Sequence, residues 1–204
     1  MSSTGYLKVI TGPMFSGKSS KLIDIHGKFL ARGASICAIN HSADDRYGTW
    51  GITTHEGRTL HSLRISRLNN ILKHGLQVSH DVFLIDEAQF FPDLKSIVWL
   101  LVNFYKKIVF VAGLSGDFEM KPFGQIHELI AICDEVEKLT ATCTCGGTAH
   151  FTHRLGTEKG QLVIGNSNYI PVCRSCHPAA SCGKEGLRTY TNAGFMLSNG
   201  FHME

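Results

Sequence analysis

No stretch of this chain approaches the roughly 20 consecutive apolar residues needed to span a bilayer. Its first residues, MSSTGYLKVITG, lack the basic region and long apolar segment of a secretory signal. These absences argue against a membrane partner and point to a reducing, cytoplasmic setting. Charge of one sign is also scarce. Lys and Arg number 20 against 17 Asp and Glu, a formal net charge of +3. That excess, with no concentrated basic patch, offers no electrostatic footprint for nucleic acid. There is no internal repeat. What remains is a chain of 204 residues that is 43% apolar and 18% charged, enough for one sizeable core and a small satellite unit.

The apolar segments recur in a regular way. YLKVIT (6 to 11), ASICAIN (34 to 40), DVFLIDE (81 to 87), KIVFVAG (107 to 113) and VEKLT (136 to 140) read as strands. Between them the pattern predicts helices from Lys18 to about Gly33, in part of 59 to 74, after Pro92, and from Phe123 to Cys133. A small strand is expected near Ile52. Strands buried on both faces and alternating with helices predict an α/β fold: a parallel sheet covered on both sides. The pattern changes after Thr140. Residues 141 to 182 carry crowded cysteines and two short candidate strands, 150 to 154 and 161 to 164, and read as a metal-stapled second domain. From Gly183 no periodicity persists, and 183 to 204 reads as a loose tail.

The first chemical motif is Gly12-Pro13-Met14-Phe15-Ser16-Gly17-Lys18-Ser19, a complete GxxxxGK[ST] pattern between a strand and a helix. Such a loop turns backbone N–H groups toward phosphate oxygens at a helix N-terminus. Lys18 is suited to the β- and γ-phosphates of ATP, and the Ser19 hydroxyl is a hard ligand for Mg²⁺. From average residue usage, a chance match in a chain this long is on the order of one in a hundred. The pattern predicts a P-loop NTPase-like sheet over residues 1 to 140.

Asp86 and Glu87 follow the apolar run VFLI, so the strand delivers them to the same carboxyl edge as the phosphate loop. Asp86 suits a role beside Mg²⁺, and Glu87 that of general base. Solvated carboxylates at a strand end are the plainer reading. In the loop after the second strand, DDRYG (44 to 48), Arg46 is a candidate for neutralising phosphoryl charge and Asp44 for the outer coordination of Mg²⁺.

Seven cysteines are unevenly spread. Cys37 and Cys133 sit in apolar surroundings and are expected to be buried. Cys173-Arg-Ser-Cys176 has the spacing that lets two thiolates meet one tetrahedral Zn²⁺, and Cys143-Thr-Cys145 supplies a second, tighter pair. Four sulfur ligands make a closed, structural site, as a unit of about 40 polar residues requires. His150, His177 and Cys182 are alternative ligands.

Taken in order, GPMFSGKSSKL (12 to 22), DDRY (44 to 47), IDEAQFF (85 to 91), DFEMKPFG (117 to 124), KLTA (138 to 141), FTHRLGTEK (151 to 159) and VCRSC (172 to 176) resemble the thymidine kinases shared by animals, many bacteria and large DNA viruses. The resemblance spans residues 6 to 177. It implies transfer of the γ-phosphoryl group of ATP to the 5′-hydroxyl of thymidine, a homotetramer, and feedback by dTTP. It implies Glu87 as base, Lys18 and Ser19 at the phosphates and metal, and Arg46 and Asp44 beside them. It also implies that Met14, Leu114, Phe118 and Thr152 contact the base, with Tyr169 nearby. Val163, Ile164 and Gly165 match a lasso loop, carried by the zinc-ribbon-like domain, whose backbone reads the thymine edge. Without the resemblance, Phe118 and Tyr169 read as core aromatics. Three features depart from the family pattern: CTC in place of CxxC, Ser115 in place of Asp, and VIGNSNY, one residue shorter than the usual lasso and lacking its second glycine. A kinase with altered base preference and a non-catalytic ATP- and zinc-binding module remain as alternatives.

Overall fold

Strands that are apolar along their whole length fold stably only where both faces of the sheet are covered. The computed structural model, which describes residues 4–44, 51–155, 160–161 and 168–178, meets that requirement. Its centre is a six-stranded sheet of β1 (Tyr6–Gly12), β2 (Ile36–His41), β5 (Leu63–Ile65), β6 (Val82–Ile85), β7 (Ile108–Leu114) and β8 (Glu135–Lys138). The spatial order is β5-β2-β6-β7-β1-β8, and every neighbouring pair is parallel.

Alternation along β1 divides the core. Leu7 and Val9 face one side, where Phe83, Ile85, Val109 and Val111 meet α4 (Leu94–Trp99), α5 (Ile126–Ile130) and Ile71 of α2 (Asn69–Lys73). Ile10 faces the other, where Leu84, Phe110 and Ala112 meet Leu22 and Ile25 of α1 (Lys18–Leu30). On that side Ile52 and Leu60 come from a hairpin of β3 (Ile52–Thr53) and β4 (Thr59–Leu60). The exposed Arg58–Asp24 ion pair, 2.7 Å, spans from this hairpin to α1. Helices thus cover both faces, as the sequence predicts. Among the described residues no helix is long and apolar enough to cross a membrane.

Some expectations hold only in part and others need correction. The helix expected within 59 to 74 is present as α2, confined to Asn69–Lys73; the residues before it are strand, with β4 paired to β3 and β5 docked parallel to β2. Tertiary pairing overrides the weak helical pattern there. A further turn, α3 (Leu76–Ser79), precedes β6. The helix after Pro92 begins at Leu94 and widens into a π-helix over Leu100–Phe104. The expected helix from Phe123 to Cys133 shrinks to Ile126–Ile130, and Cys133 is only partly buried, unlike Cys37.

After β8 the chain forms two small antiparallel pairs. β9 (Ala141–Thr142) pairs with β10 (Thr148–Ala149), and β11 (Phe151–Arg154) pairs with β12 (Tyr169–Val172). The strand at Tyr169–Val172 has no expectation behind it, because Pro171 weakens the pattern; two-stranded pairing leaves Pro171 room at an edge. The strand expected at 161 to 164 lies outside the described residues beyond Gln161, and the tail from Gly183 lies wholly outside them.

Candidate active site

Parallel strands deposit their carboxyl ends at one edge, and the register sets the depth of each group there. Gly12 lies opposite Leu114, and Ile85 opposite Val111, itself opposite Val9. Glu87, two residues past Ile85, therefore emerges level with the start of the phosphate loop. Gly12 has φ +153°, and a Cβ there would lie 2.6 Å from the carbonyl oxygen of Leu139. Only glycine lets the loop leave the sheet so close to its neighbour. The loop is held from within: Ser16 Oγ donates to the Pro13 carbonyl at 2.8 Å, and the buried Lys18 Nζ donates to the same oxygen at 2.7 Å. Lys18 also reaches the Gly12 carbonyl at 3.4 Å.

Behind the loop, Ser19 Oγ donates to Asp86 Oδ2 at 2.6 Å. A hydroxyl and a carboxylate side by side form a hard-oxygen pair at the first turn of α1, a donor set that fits Mg²⁺. Glu87 has φ +48°, unusual for a residue with a side chain, at a cost of about 1 kcal/mol. That conformation ends β6 and begins the 3₁₀ turn Ala88–Phe90. Glu87 is 8% exposed, and its Oε2 accepts a 2.6 Å hydrogen bond from Gln89 Nε2. The Gln89 Oε1 accepts from the Leu114 N–H at 3.1 Å. One buried amide therefore spans from the carboxylate to the last residue of β7. Gly124 is required for this placement, since a Cβ there would meet the Gln89 carbonyl at 2.2 Å. Gln89 was not anticipated as a site residue, although it stands within the quoted IDEAQFF stretch.

These groups share one cavity of about 490 Å³. Met14 to Ser19, Asp44 and Glu87 line it together with Leu114, Phe118, Thr152 and Tyr169. Gly12, Pro13 and Asp86 stand behind the lining as supports. Thr152 Oγ1 accepts the Met14 N–H at 3.0 Å and so ties the phosphate loop to β11. The Arg154 guanidinium lies 3.6 Å over the Phe118 ring, a cation–π contact that fixes the ring's outer face. Asn40 Nδ2 donates to Asp44 Oδ2 at 2.9 Å, and Arg64 donates to the Asp44 carbonyl at 2.6 Å. Thr53, Thr54 and His55 of the hairpin region also line the cavity, with His55 edge-on to Phe15; none of these was singled out from the sequence. Arg46, Val163, Ile164 and Gly165, and with them the lasso, lie outside the described residues.

The cysteines meet away from this cavity. The sulfurs of Cys143, Cys145, Cys173 and Cys176 all lie within 4.8 Å of one another, with Cys145 and Cys173 at 3.7 Å. Zinc–sulfur bonds of about 2.3 Å place tetrahedral sulfurs roughly 3.8 Å apart, so the four suit one zinc ion despite the tight CTC spacing. Backbone N–H groups of Cys145 and Cys173 pull the Cys143 thiol down to about 6, while contact with the Cys173, Cys145 and Cys143 sulfurs pushes Cys176 up to about 12. Four sulfurs this close ionise together only around a cation. His177, an alternative ligand by sequence, instead packs its buried ring against Phe151 and His153, with centroids at 5.8 Å in each case.

Comparison with known proteins decides the family. The thymidine kinase family model matches residues 5–177. The chain belongs to that family. It is similar to the thymidine kinase of variola virus (isolate Human/India/Ind3/1967), 41% identical over 175 residues, covering 85% of this chain and 97% of that one. The thymidine kinase of Yaba monkey tumor virus is 38% identical over 178 residues, 86% of this chain and 96% of its own. Human cytosolic thymidine kinase is 38% identical over 182 residues, 88% of this chain and 76% of its own. The resemblance drawn from motifs is thus correct at the level of family, and a kinase family is a family of transferases.

Proposed function

We propose that the protein phosphorylates thymidine, transferring the γ-phosphoryl group of ATP to the 5′-hydroxyl to give dTMP and ADP. The observation that carries this reading is the shared cavity, lined both by the phosphate loop and Glu87 and by apolar and aromatic groups. Residues 1 to 140 act as the nucleotide-binding unit, and 141 to 182 as the stapled unit that covers the nucleoside. The loop from Gly12 to Ser19 holds the donor phosphates. Lys18 leaves its carbonyl partners to meet the β- and γ-phosphates, and Arg46 supplies further positive charge. Ser19 would ligate Mg²⁺, with Asp86 and Asp44 in its outer coordination, and the bound ion would neutralise charge on the phosphates. Glu87 takes the proton of the 5′-hydroxyl as its oxygen bonds to the γ-phosphorus and the bond to the β-phosphate oxygen breaks.

The nucleoside ring rests on Phe118, with Met14, Leu114, Thr152 and Tyr169 around it and the backbone of Val163, Ile164 and Gly165 at its edge. Cys143, Cys145, Cys173 and Cys176 hold a structural zinc. A homotetramer, dTTP feedback and a cytoplasmic location accompany this reading, and the assembly is testable by sedimentation.

Product analysis tests it directly: purified protein with thymidine and ATP·Mg²⁺ yields dTMP. Nucleotide binding without dTMP would favour a binding module instead. A deoxynucleoside kinase of altered base preference is the second reading, favoured by the short VIGNSNY segment and by a polar side chain, Gln161, in the cavity wall. Competition among thymidine, deoxyuridine and deoxycytidine separates the two; clear preference for deoxycytidine overturns the thymidine assignment.

A further inference from the structure

The proposed phosphoryl transfer leaves a further carboxylate in the cavity wall, Asp117, without a role. Asp117, 6% exposed, lies in the loop that follows Leu114 at the end of β7 and carries Phe118. Its Oδ1 accepts the N–H groups of Glu119 and Lys121, each at 2.9 Å, while its own N–H donates to the Lys121 carbonyl at 2.9 Å. This double use of one oxygen folds residues 117 to 121 into a tight turn. The other oxygen points away from the turn. Oδ2 accepts from Gln161 Nε2 at 2.8 Å, and the same nitrogen donates to the Pro122 carbonyl at 3.1 Å.

Gln161 sits in a segment pinned from a second direction. Arg154, whose guanidinium covers Phe118, donates to the carbonyl of Gly160 at 2.6 Å. The pair Gly160-Gln161 is therefore held at both of its residues to the two groups flanking Phe118. Gln161 and Tyr169 both line the cavity, one at each end of the intervening sequence. A buried carboxylate needs hydrogen-bond donors on both oxygens, so Oδ2 gives Gln161 a fixed address on the Phe118 loop.

We propose that Asp117 and Gln161 form a latch that positions the acceptor side of the cavity, making Gln161 a determinant of nucleoside affinity rather than of the chemical step. The inference rests on the proposed kinase activity for its substrate, though not for the latch itself. It follows from bonds that a pattern search does not see, because Asp117 and Gln161 are 44 positions apart.

The test exchanges donor and acceptor in the full-length protein. Gln161→Glu sets two carboxylates against each other and should raise the KM for thymidine at least tenfold, with kcat and the KM for ATP within twofold. Adding Asp117→Asn restores a donor opposite Glu and keeps an oxygen for the turn, though not the donor to the Pro122 carbonyl, so the double variant should recover part of the lost affinity. A KM for thymidine unchanged in Gln161→Glu, or a double variant no better than the single one, overturns the positioning role. Thermal unfolding of wild type, both single variants and the pair, without substrate, checks the latch separately. Non-additive Tm shifts support it, and additive shifts overturn it. If wild type gives no dTMP, the kinase reading fails while the unfolding cycle still decides the latch.

Discussion

The six-stranded domain and the cysteine-bearing unit hold their parts of the cavity by different means. Among the described residues, nineteen and nine buried apolar residues form the clusters on the two sheet faces, whereas Cys143, Ala149 and Val172 form the buried apolar cluster of the smaller unit. The sheet places the phosphate loop and Glu87 through apolar burial and strand register, both resistant to the loss of any single contact. The smaller unit places Thr152 and Tyr169 on paired strands of four residues, β11 and β12, beside four sulfurs. A region with so little apolar core would depend on the cross-link that a metal at those sulfurs supplies. Donor and acceptor sides of one cavity should therefore fail independently.

The largest expected effect tests that independence. Structural zinc contributes about 10–16 kcal/mol to folding of small metal domains. Removing metal with a strong chelator, or substituting Cys173→Ser, should unfold the smaller unit and abolish dTMP formation. Binding of a fluorescent ATP analogue should survive within about threefold, since sheet and loop stay folded. Loss of nucleotide binding along with the nucleoside would erase the contrast between the regions. Metal analysis of the untreated protein should find zinc.

Glu87→Gln comes next. General-base catalysis contributes about 10²–10⁴-fold, so kcat should fall by that order while ATP affinity is retained. Steady-state turnover at the wild-type rate would remove Glu87 from the base role. Within the sheet, Phe83→Ala should cost about 3–5 kcal/mol by denaturant unfolding, because the ring is fully buried between packed neighbours. Hydrogen exchange should show the cost falling on the sheet strands. The smallest effect is expected where the regions touch. Thr152→Val removes the hydroxyl that accepts the Met14 N–H, worth about 1–2 kcal/mol for a buried donor left without its partner. A few-fold rise in the KM for thymidine should accompany it, measured with ATP saturating.

Much of the fold was legible because the strands of the sheet are near-continuous apolar runs and the helices between them carry one apolar face. Where local preference is weak, reading failed. Leu63–Ile65 is a strand because β2 offers an open edge beside it, and Tyr169–Val172 because Phe151–Arg154 lies opposite. At the site, the phosphate loop, the acidic strand end and the paired cysteines were each visible in contiguous residues. Gln89 was not, because its value lies in bridging Glu87 to the Leu114 N–H across 25 positions. Asp117 was equally silent, since its partner Gln161 has no motif of its own.

By itself, the amino-acid order determined the family, the alternation of strands and helices, and the chemical character of the phosphate loop and the sulfur cluster. Those features arise from local sterics and from residue types at short fixed spacings. Tertiary structure alone decided that Met14 meets Thr152, that Gln89 spans from Glu87 to Leu114, and that Asp117 holds Gln161 beside Phe118. Hydrogen bonds between residues remote in sequence exist only after packing has brought their donors and acceptors together.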